Sequence, residues 1–245
     1  MPHPILMERL SRSARARRYG LVAAWNLSDL VDAYGGNTLT NNNAATFVAG
    51  KIGDAVDLEM SSSQSLSIAD NVPLSGAVGT SLWLSSWVKF ESIPATVQHI
   101  AGKLTTGTNQ REYRQILTGT TQLFGMGGSA AGTSTTNVHA STHGVATTGV
   151  WYHVFSYYDA VLGLLGIAIN GGPFDTASLA GGIFDGSGPF TIGAQGSLAA
   201  DFVDGMVDLV YFGKNPPKGM TYLRTEMRDY FWRAGAGREW PGGWT

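Results

Sequence analysis

The chain has 245 residues, a formal net charge of −2, 33 glycines and no cysteine. The absence of cysteine excludes a disulfide framework, a thiolate metal site and a cysteine nucleophile. Charge is segregated: residues 1–18 hold five arginines against one acid (net +4), and the remainder holds 11 basic and 17 acidic residues (net −6). A basic arm ahead of an acidic body suits docking on something acidic.

The opening "MPHPILMERLSRSARARRYG" has no apolar core of signal-peptide length, and its charges follow its short apolar part. Cytoplasmic synthesis without a standard export signal is expected, and no later run approaches the roughly 20 apolar residues of a membrane span. Residues 5–17 have the composition of a helix, though one this short is marginal alone in water. From Leu21 to Lys214 the chain reads as strands separated by Gly, Asn, Ser and Pro. "LVAAWNL" is the first, and "DAVDLEM" and "QSLSIAD" follow around a serine turn. In "TSLWLSSWVKF", Leu82, Leu84, Ser86, Val88 and Phe90 share one face and Trp83, Ser85, Trp87 and Lys89 the other. "VQHIAGKL", "EYRQIL" and "TQLFGMG" are shorter strands. The Thr-rich stretch 132–149 has spaced valines at 138 and 145 and is read as one strand plus a long loop. "WYHVFSYYD" and "LLGIAIN" form a hairpin around "AVLG", and "PFTIGAQ" and "VDGMVDLVYFG" complete the set. Residues 220–233 are read as a helix with Thr221 as N-cap and Leu223, Met227, Tyr230 and Phe231 at helical spacing. "AGAGREWPGGWT" is an irregular tail.

The order of these landmarks is similar to that of laminin G-like domains of the concanavalin A-like superfamily. "GKIGDAVDLEMSSSQSLSIAD" resembles the early strand–turn–strand signature, and "LWLSSWVKF" the strand with a Trp in its second half. "TGVWYHVFSYYDAVLGLLGIAINGG" resembles the Trp-x-x-Val hairpin ending in Asn-Gly. "FTIGAQ" with "DFVDGMVDLVYFGK" resembles the closing pair. The resemblance spans about residues 20–233. It implies an all-β, concanavalin A-like jelly-roll sandwich of two antiparallel sheets, one flatter and one curved, with a short C-terminal helix. It implies binding of glycans or proteins more often than catalysis. The chain then divides into a basic arm (1–19), the jelly roll (20–233) and a Gly/Trp-rich tail (234–245).

The aspartates of "DFVDGMVDLVYFGK" do not converge. Strand alternation places Asp204 and Asp208 with Met206, Val210 and Phe212, and Asp201 outside the strand or on its other face. Asp208 is expected to be half-buried and bonded to loop N–H groups. By analogy with relatives that hold calcium near a sheet rim, Asp29, Asp32 and Asn37, or Asp201 and Asp204, are the candidate ligands. None has a diagnostic spacing. The acid strand of glycan-cleaving relatives is missing. The closest set, Asp54, Asp57 and Glu59, falls on the early structural strand, where Asp57 and Glu59 share a face. His139 and His143 lack the Glu of a zinc protease, and His153 is read as a packed strand histidine.

The closing strand also alternates Val207, Leu209 and Tyr211 with its other apolar face, so both faces need cover. The terminal helix is the expected one. Trp240 and Trp244 are expected either to fold back or to anchor a contact between subunits. Partner-binding candidates are therefore Arg9, Arg12, Arg15, Arg17, Arg18, Trp240 and Trp244. The function expected is a non-enzymatic structural or adhesion subunit of a larger assembly. A virion or other extracellular particle is the expected location, and other protein subunits, with glycans in addition, are the expected partners. A free carbohydrate-binding module is the alternative. The arm lacks a recognised nucleic-acid fold behind it.

Overall fold

The computed structural model describes residues 12–243. Helix α1 (Arg12–Tyr19) leads into β1 (Leu21–Trp25), β2 (Thr40–Asn42), β3 (Thr46–Ala49), β4 (Asp54–Leu58) and β5 (Ser65–Ile68). Then come β6 (Leu82–Phe90), β7 (Gln98–Thr105), β8 (Gln110–Leu117), β9 (Phe124–Gly128) and β10 (Thr136–His139). The chain closes with β11 (Tyr152–Asp159), β12 (Leu164–Ile169), β13 (Asp175–Ser178), β14 (Phe190–Ile192), β15 (Gly205–Lys214) and α2 (Met220–Trp232). The strands form two antiparallel sheets. One has the order β13-β12-β11-β6-β15-β4-β3 with β1 added on β15; the other is β10-β9-β8-β7-β14-β5-β2. This is a concanavalin A-like jelly-roll sandwich with a short C-terminal helix. The short edge strands β2, β3 and β13 have no clear mark in the sequence.

Alternation in β6 builds two cores. Leu82, Leu84, Val88 and Phe90 enter the core between the sheets. Trp83 and Trp87 enter a second core on the outer face, with Leu209 and Tyr211 of β15 and Leu223, Met227 and Phe231 of α2. The helix thus covers the apolar outer face of the closing strands. Between the sheets, Gln115 Nε2 donates to the Leu84 and Val154 carbonyls and to Ser156 Oγ, and Ser86 Oγ donates to its carbonyl oxygen. One buried amide therefore ties β8 to β6 and β11, its polar groups paired rather than stranded.

Two ends that the sequence divides from the sandwich belong to the second core. Of the helix expected over 5–17, residues 5–11 lie outside the described residues; the described part is helical over Arg12–Tyr19, and Gly20, at a φ of 63°, ends it. Ala16 and Tyr19 are fully buried, and Trp83 Nε1 donates to the Tyr19 carbonyl. In the tail, Trp240 is 7% exposed. Its backbone N–H donates to Asn26 and Tyr211 side chains, and its indole N–H to the Ala33 carbonyl. Tyr230 lies between the guanidinium groups of Arg15 and Arg238, 4.5 and 4.0 Å from its ring. Thr221 does not cap α2. The N-cap position is Gly219, and the Thr221 hydroxyl donates to Asp159.

Candidate functional site

Cross-strand register defines the outward face of the seven-stranded sheet, which is partly covered: Thr191 is fully buried and the Arg114 side chain is 14% exposed. Inward positions carry apolar side chains such as Leu66, Ala101, Met126, Val138 and Ile192. The adjacent outward row runs Asn137–Gly127–Arg114–Gly102–Thr191–Ser67–Thr40, one residue from each strand. Every member is polar or glycine. Arg114 is central, and its two neighbours in the row lack side chains. A Cβ at Gly102 would lie 2.4 Å from the Tyr113 carbonyl and 2.6 Å from Arg114 Cα, and one at Gly127 2.8 Å from Asn137 Oδ1. The glycines therefore leave room for the guanidinium.

The loop after β14 folds back over this face. Asp201, at a φ of 58°, accepts the His99 N–H on its carbonyl and holds its carboxylate 3.7 Å from Arg114 Nη1. Burial pushes the Asp201 carboxyl up, and Arg114 opposes this. Arg114 Nε is buried and has no protein acceptor. Asn137 and His139 on the edge strand β10 are exposed. The site thus offers a positioned cation, a carboxylate and amide and imidazole edges above a floor of small residues. Arg114 and this row were not singled out from the sequence. The available signal was alternation in "EYRQIL", which sets Arg114 opposite Tyr113 and Gln115.

The aspartates are placed differently from strict alternation. Asp208 faces Trp87 across the ladder, Tyr211 faces Ser85, and register shifts between them. Leu209 takes a φ of 48° in this bulge. The extra residue turns Asp208 away from Val210 and Phe212, onto the outer face with Trp87. Asp208 is fully buried rather than half-buried, and its Oδ2 accepts the N–H groups of Lys51 and Ile52 at 2.7 and 3.1 Å. Burial pushes its carboxyl up to about 7.

The calcium candidates are engaged in hydrogen bonds. Asp32 accepts the N–H groups of Ala24, Tyr34 and Asn37 and the Asn37 side-chain amide, which staples the first loop. Asp29 accepts the Val31 N–H. Asp204 accepts from the Met60 N–H and the Ser92 hydroxyl. Among the described residues, the acids that converge are Asp57, Glu59 and Glu91, with one oxygen of each within 4.8 Å of the others. The fold brings Glu91 to the pair; its distance in sequence hid it. Burial raises the Glu91 carboxyl, and Asp57, Glu59 and Asp204 add to the shift. This trio lies at the rim of the eight-stranded sheet, away from the Arg114 row.

Ser85 Oγ and His153 Nε2 are 2.9 Å apart. Both are buried beneath α2, and His153 Nδ1 has no partner, so the third member of a hydrolytic triad is missing. Burial pushes His153 down to about 3 and keeps it neutral. His143 packs edge-on against Tyr152. Of the partner-binding candidates, Arg12 and Arg17 are exposed, Arg15 covers Tyr230, Arg18 pairs with Glu226, and Trp240 is buried. Arg9 and Trp244 lie outside the described residues. No helix among the described residues is long and apolar enough to cross a membrane.

The two antiparallel sheets and their connections define a lectin-like jelly-roll fold. The chain belongs to the laminin G type 3 family of the concanavalin A-like lectin/glucanases superfamily, whose signature matches residues 60–214. No curated protein matches the chain in sequence. Among solved structures, it is similar to domain 4 of AbnA, a GH43 extracellular arabinanase from Geobacillus stearothermophilus, in complex with arabinotriose. Identity is 20%, coverage is 81% of this chain and 95% of that one, and the TM-score is 0.58. It is also similar to the binding domain of Paraclostridial Mosquitocidal Protein 1 (12% identity, 86% of this chain and 52% of that one, TM-score 0.65). A third is the botulinum neurotoxin serotype C1 binding domain (13%, 80% and 49%, TM-score 0.58). The chain spans about half the length of these toxin binding domains. At these identities the likeness is one of fold.

Proposed function

We propose that this chain is a non-enzymatic adhesion domain that binds a glycan on the outward face of its seven-stranded sheet, beside Arg114. The observation that carries the reading is the polar row centred on Arg114, with an unpartnered buried Nε beside Asp201. Hydroxyl-rich ligands are oriented by a few fixed donors and acceptors, and a guanidinium presents several in one plane. The exposed aromatic residues among those described, Tyr34 and Tyr222, lie off this face. Hydrogen bonding and charge, rather than ring stacking, therefore dominate recognition. The similar arabinanase domain, solved with arabinotriose, supports a sugar ligand. The non-enzymatic reading is supported by the placement of the acids: the Asp57–Glu59–Glu91 trio is on the other sheet, and Asp201 is committed to Arg114.

A glycan panel followed by titration calorimetry tests this. Arg114→Ala is expected to weaken binding about 10- to 100-fold, the value of roughly 1.5–3 kcal/mol for a charged hydrogen bond. Unchanged affinity in that variant refutes the site, and release of reducing ends that is lost in Asp57→Ala or Glu91→Ala refutes the non-enzymatic role. A larger setting, as a surface subunit of a phage or virus particle, is part of the same proposal. The exposed apolar residues concentrated at the ends of the sandwich favour it, since such patches mark contact surfaces. Immunogold labelling of native particles tests it.

A further inference from the structure

Charge is segregated along the chain in a way that its net charge hides. Helix α1 and residues 218–243 hold nine basic and three acidic residues, net +6, whereas residues 20–217 hold six basic and fourteen acidic, net −8. The strands define two ends, and α2 runs between them, from just past Lys218 near one to Trp232 stacked on Trp87 toward the other, so the exposed charges at each end have to be read individually. One end of the sandwich is marked by Leu82, Tyr158 and Lys214, which are neighbours in register; the other is marked by Phe90 and Gly205. At ~3.3 Å per residue, β6 separates the ends by about 26 Å.

The first end is basic and apolar. Exposed Arg17 and Lys218 lie there. Arg17 closes α1 on Gly20, which pairs with Lys214. Arg18, Lys218, Tyr222 and Leu223 line a shallow depression of about 440 Å³. Around it stand Val72 (83% exposed), Val78 (80%), Val161 (86%) and Tyr222 (81%). Hydrogen bonds hold these residues at one end. Lys214 Nζ donates to the Val72 carbonyl, and Asp159 accepts both the Val161 N–H and the Thr221 hydroxyl. Of the acids at this end, Asp70 pairs with buried Lys103 and Glu226 with Arg18, and exposed Asp185 acts on Lys214.

The second end has the opposite sign. Glu59 and Glu91 are exposed there beside Asp57, without a salt-bridge partner within 4.0 Å among the described residues. Exposed Val145 and Val150 flank Gly149, whose N–H donates to the Phe90 carbonyl. The cation at this rim, Lys89, is directed over the Trp151 ring. Each end therefore pairs uncovered apolar side chains with two exposed charges free of a salt bridge among the described residues, Arg17 and Lys218 at one and Glu59 and Glu91 at the other, and the two pairs are opposite in sign.

We propose that the chain associates head to tail with a second copy, the Arg17/Lys218 end of one docking on the Glu59/Glu91 end of the next. Such a contact is heterologous, so it propagates into a ring or a filament. Apolar burial supplies attraction and the charges fix orientation. The proposal rests on the reading of the chain as an assembly subunit and names its partner.

Light scattering on sized fractions at ~50 μM tests it in about 50 mM and 500 mM salt, conditions that differ in screening length. The wild-type mass is expected to rise with concentration in low salt and to fall to the monomer in high salt. Arg17→Glu/Lys218→Glu keeps the acidic end intact, and Glu59→Lys/Glu91→Lys keeps the basic end intact. Each variant alone is expected to be a folded monomer by melting. Mixed, they are expected to associate and to keep growing, because the native contact between the two unaltered ends is joined by a charge-swapped contact between the two reversed ends. All four positions are exposed and away from Arg114, so glycan affinity is expected to be unchanged in both. A monomeric wild type in low salt, continued self-association of either variant, or a mixture that stays monomeric overturns the proposal. A wild type that is monomeric yet recovered in native particles overturns the head-to-tail contact and leaves the subunit reading standing.

Discussion

Asp208→Asn isolates the energetic consequence of the β15 bulge. The bulge buries Asp208 completely, between the Lys51–Ile52 turn and the outer core. Burial is the main cause of its elevation to about 7 from an ordinary value of 3.8; the N–H groups of Ile52, Lys51 and Leu209 pull the other way, and Glu239 adds to the rise. A carboxyl that is harder to ionise when folded binds its proton more tightly in the folded state. Its contribution is therefore most favourable below pH 4, declines as pH rises from 4 to 7, and is flat above that. Three pKa units correspond to about 4 kcal/mol, an upper bound for this one group. The asparagine cannot ionise, yet its carbonyl still accepts the two loop N–H groups. Its amide nitrogen replaces Oδ1, which has no partner, at a pH-independent cost of roughly 1–3 kcal/mol. The assay is urea unfolding of both proteins at pH 4 to 9. The stability of Asp208→Asn relative to wild type is expected to rise by a few kcal/mol between pH 4 and 8. His99 and His153, both held down to about 3 by burial, impose the opposite slope between pH 3 and 6.5, but equally on both proteins, so the difference cancels them. A difference that does not vary with pH refutes the assignment of a buried, proton-binding carboxyl.

Removing the N-terminal helix is expected to destabilise the fold rather than leave it intact. Tyr19→Ala empties a fully buried site in contact with Tyr230 and Phe231 and is expected to cost about 3–5 kcal/mol in chemical denaturation; a loss below 1 kcal/mol rejects the second core as drawn. Gln115→Met strands the Ser86 and Ser156 hydroxyls and two strand carbonyls between the sheets. Melting is expected to show a loss of about 2–4 kcal/mol, and a neutral outcome means that the buried network contributes little.

The sequence determined the sandwich because its information is local and periodic. Alternation in "LWLSSWVKF" sorts Leu84 from Trp83 and thereby already specifies two cores. The terminal helix was legible because Leu223, Met227 and Phe231 recur at its period, and the uncovered face of Leu209 and Tyr211 told where it must pack. Only the tertiary structure decided the rest, because it depends on neighbours remote in sequence or on one backbone irregularity. The single extra residue at Leu209 reversed the direction of Asp208, a change that residue identities do not announce. Tyr19 looked like the end of a tail until Trp83, Glu226 and Phe231 were brought to it across some 60 to 210 positions. Glu91 joined Asp57 and Glu59 only when β6 was laid near β4. Arg114 acquired its site from six other strands in register, each supplying one small or polar residue. Periodicity says which way a side chain points; pairing order decides what it meets there.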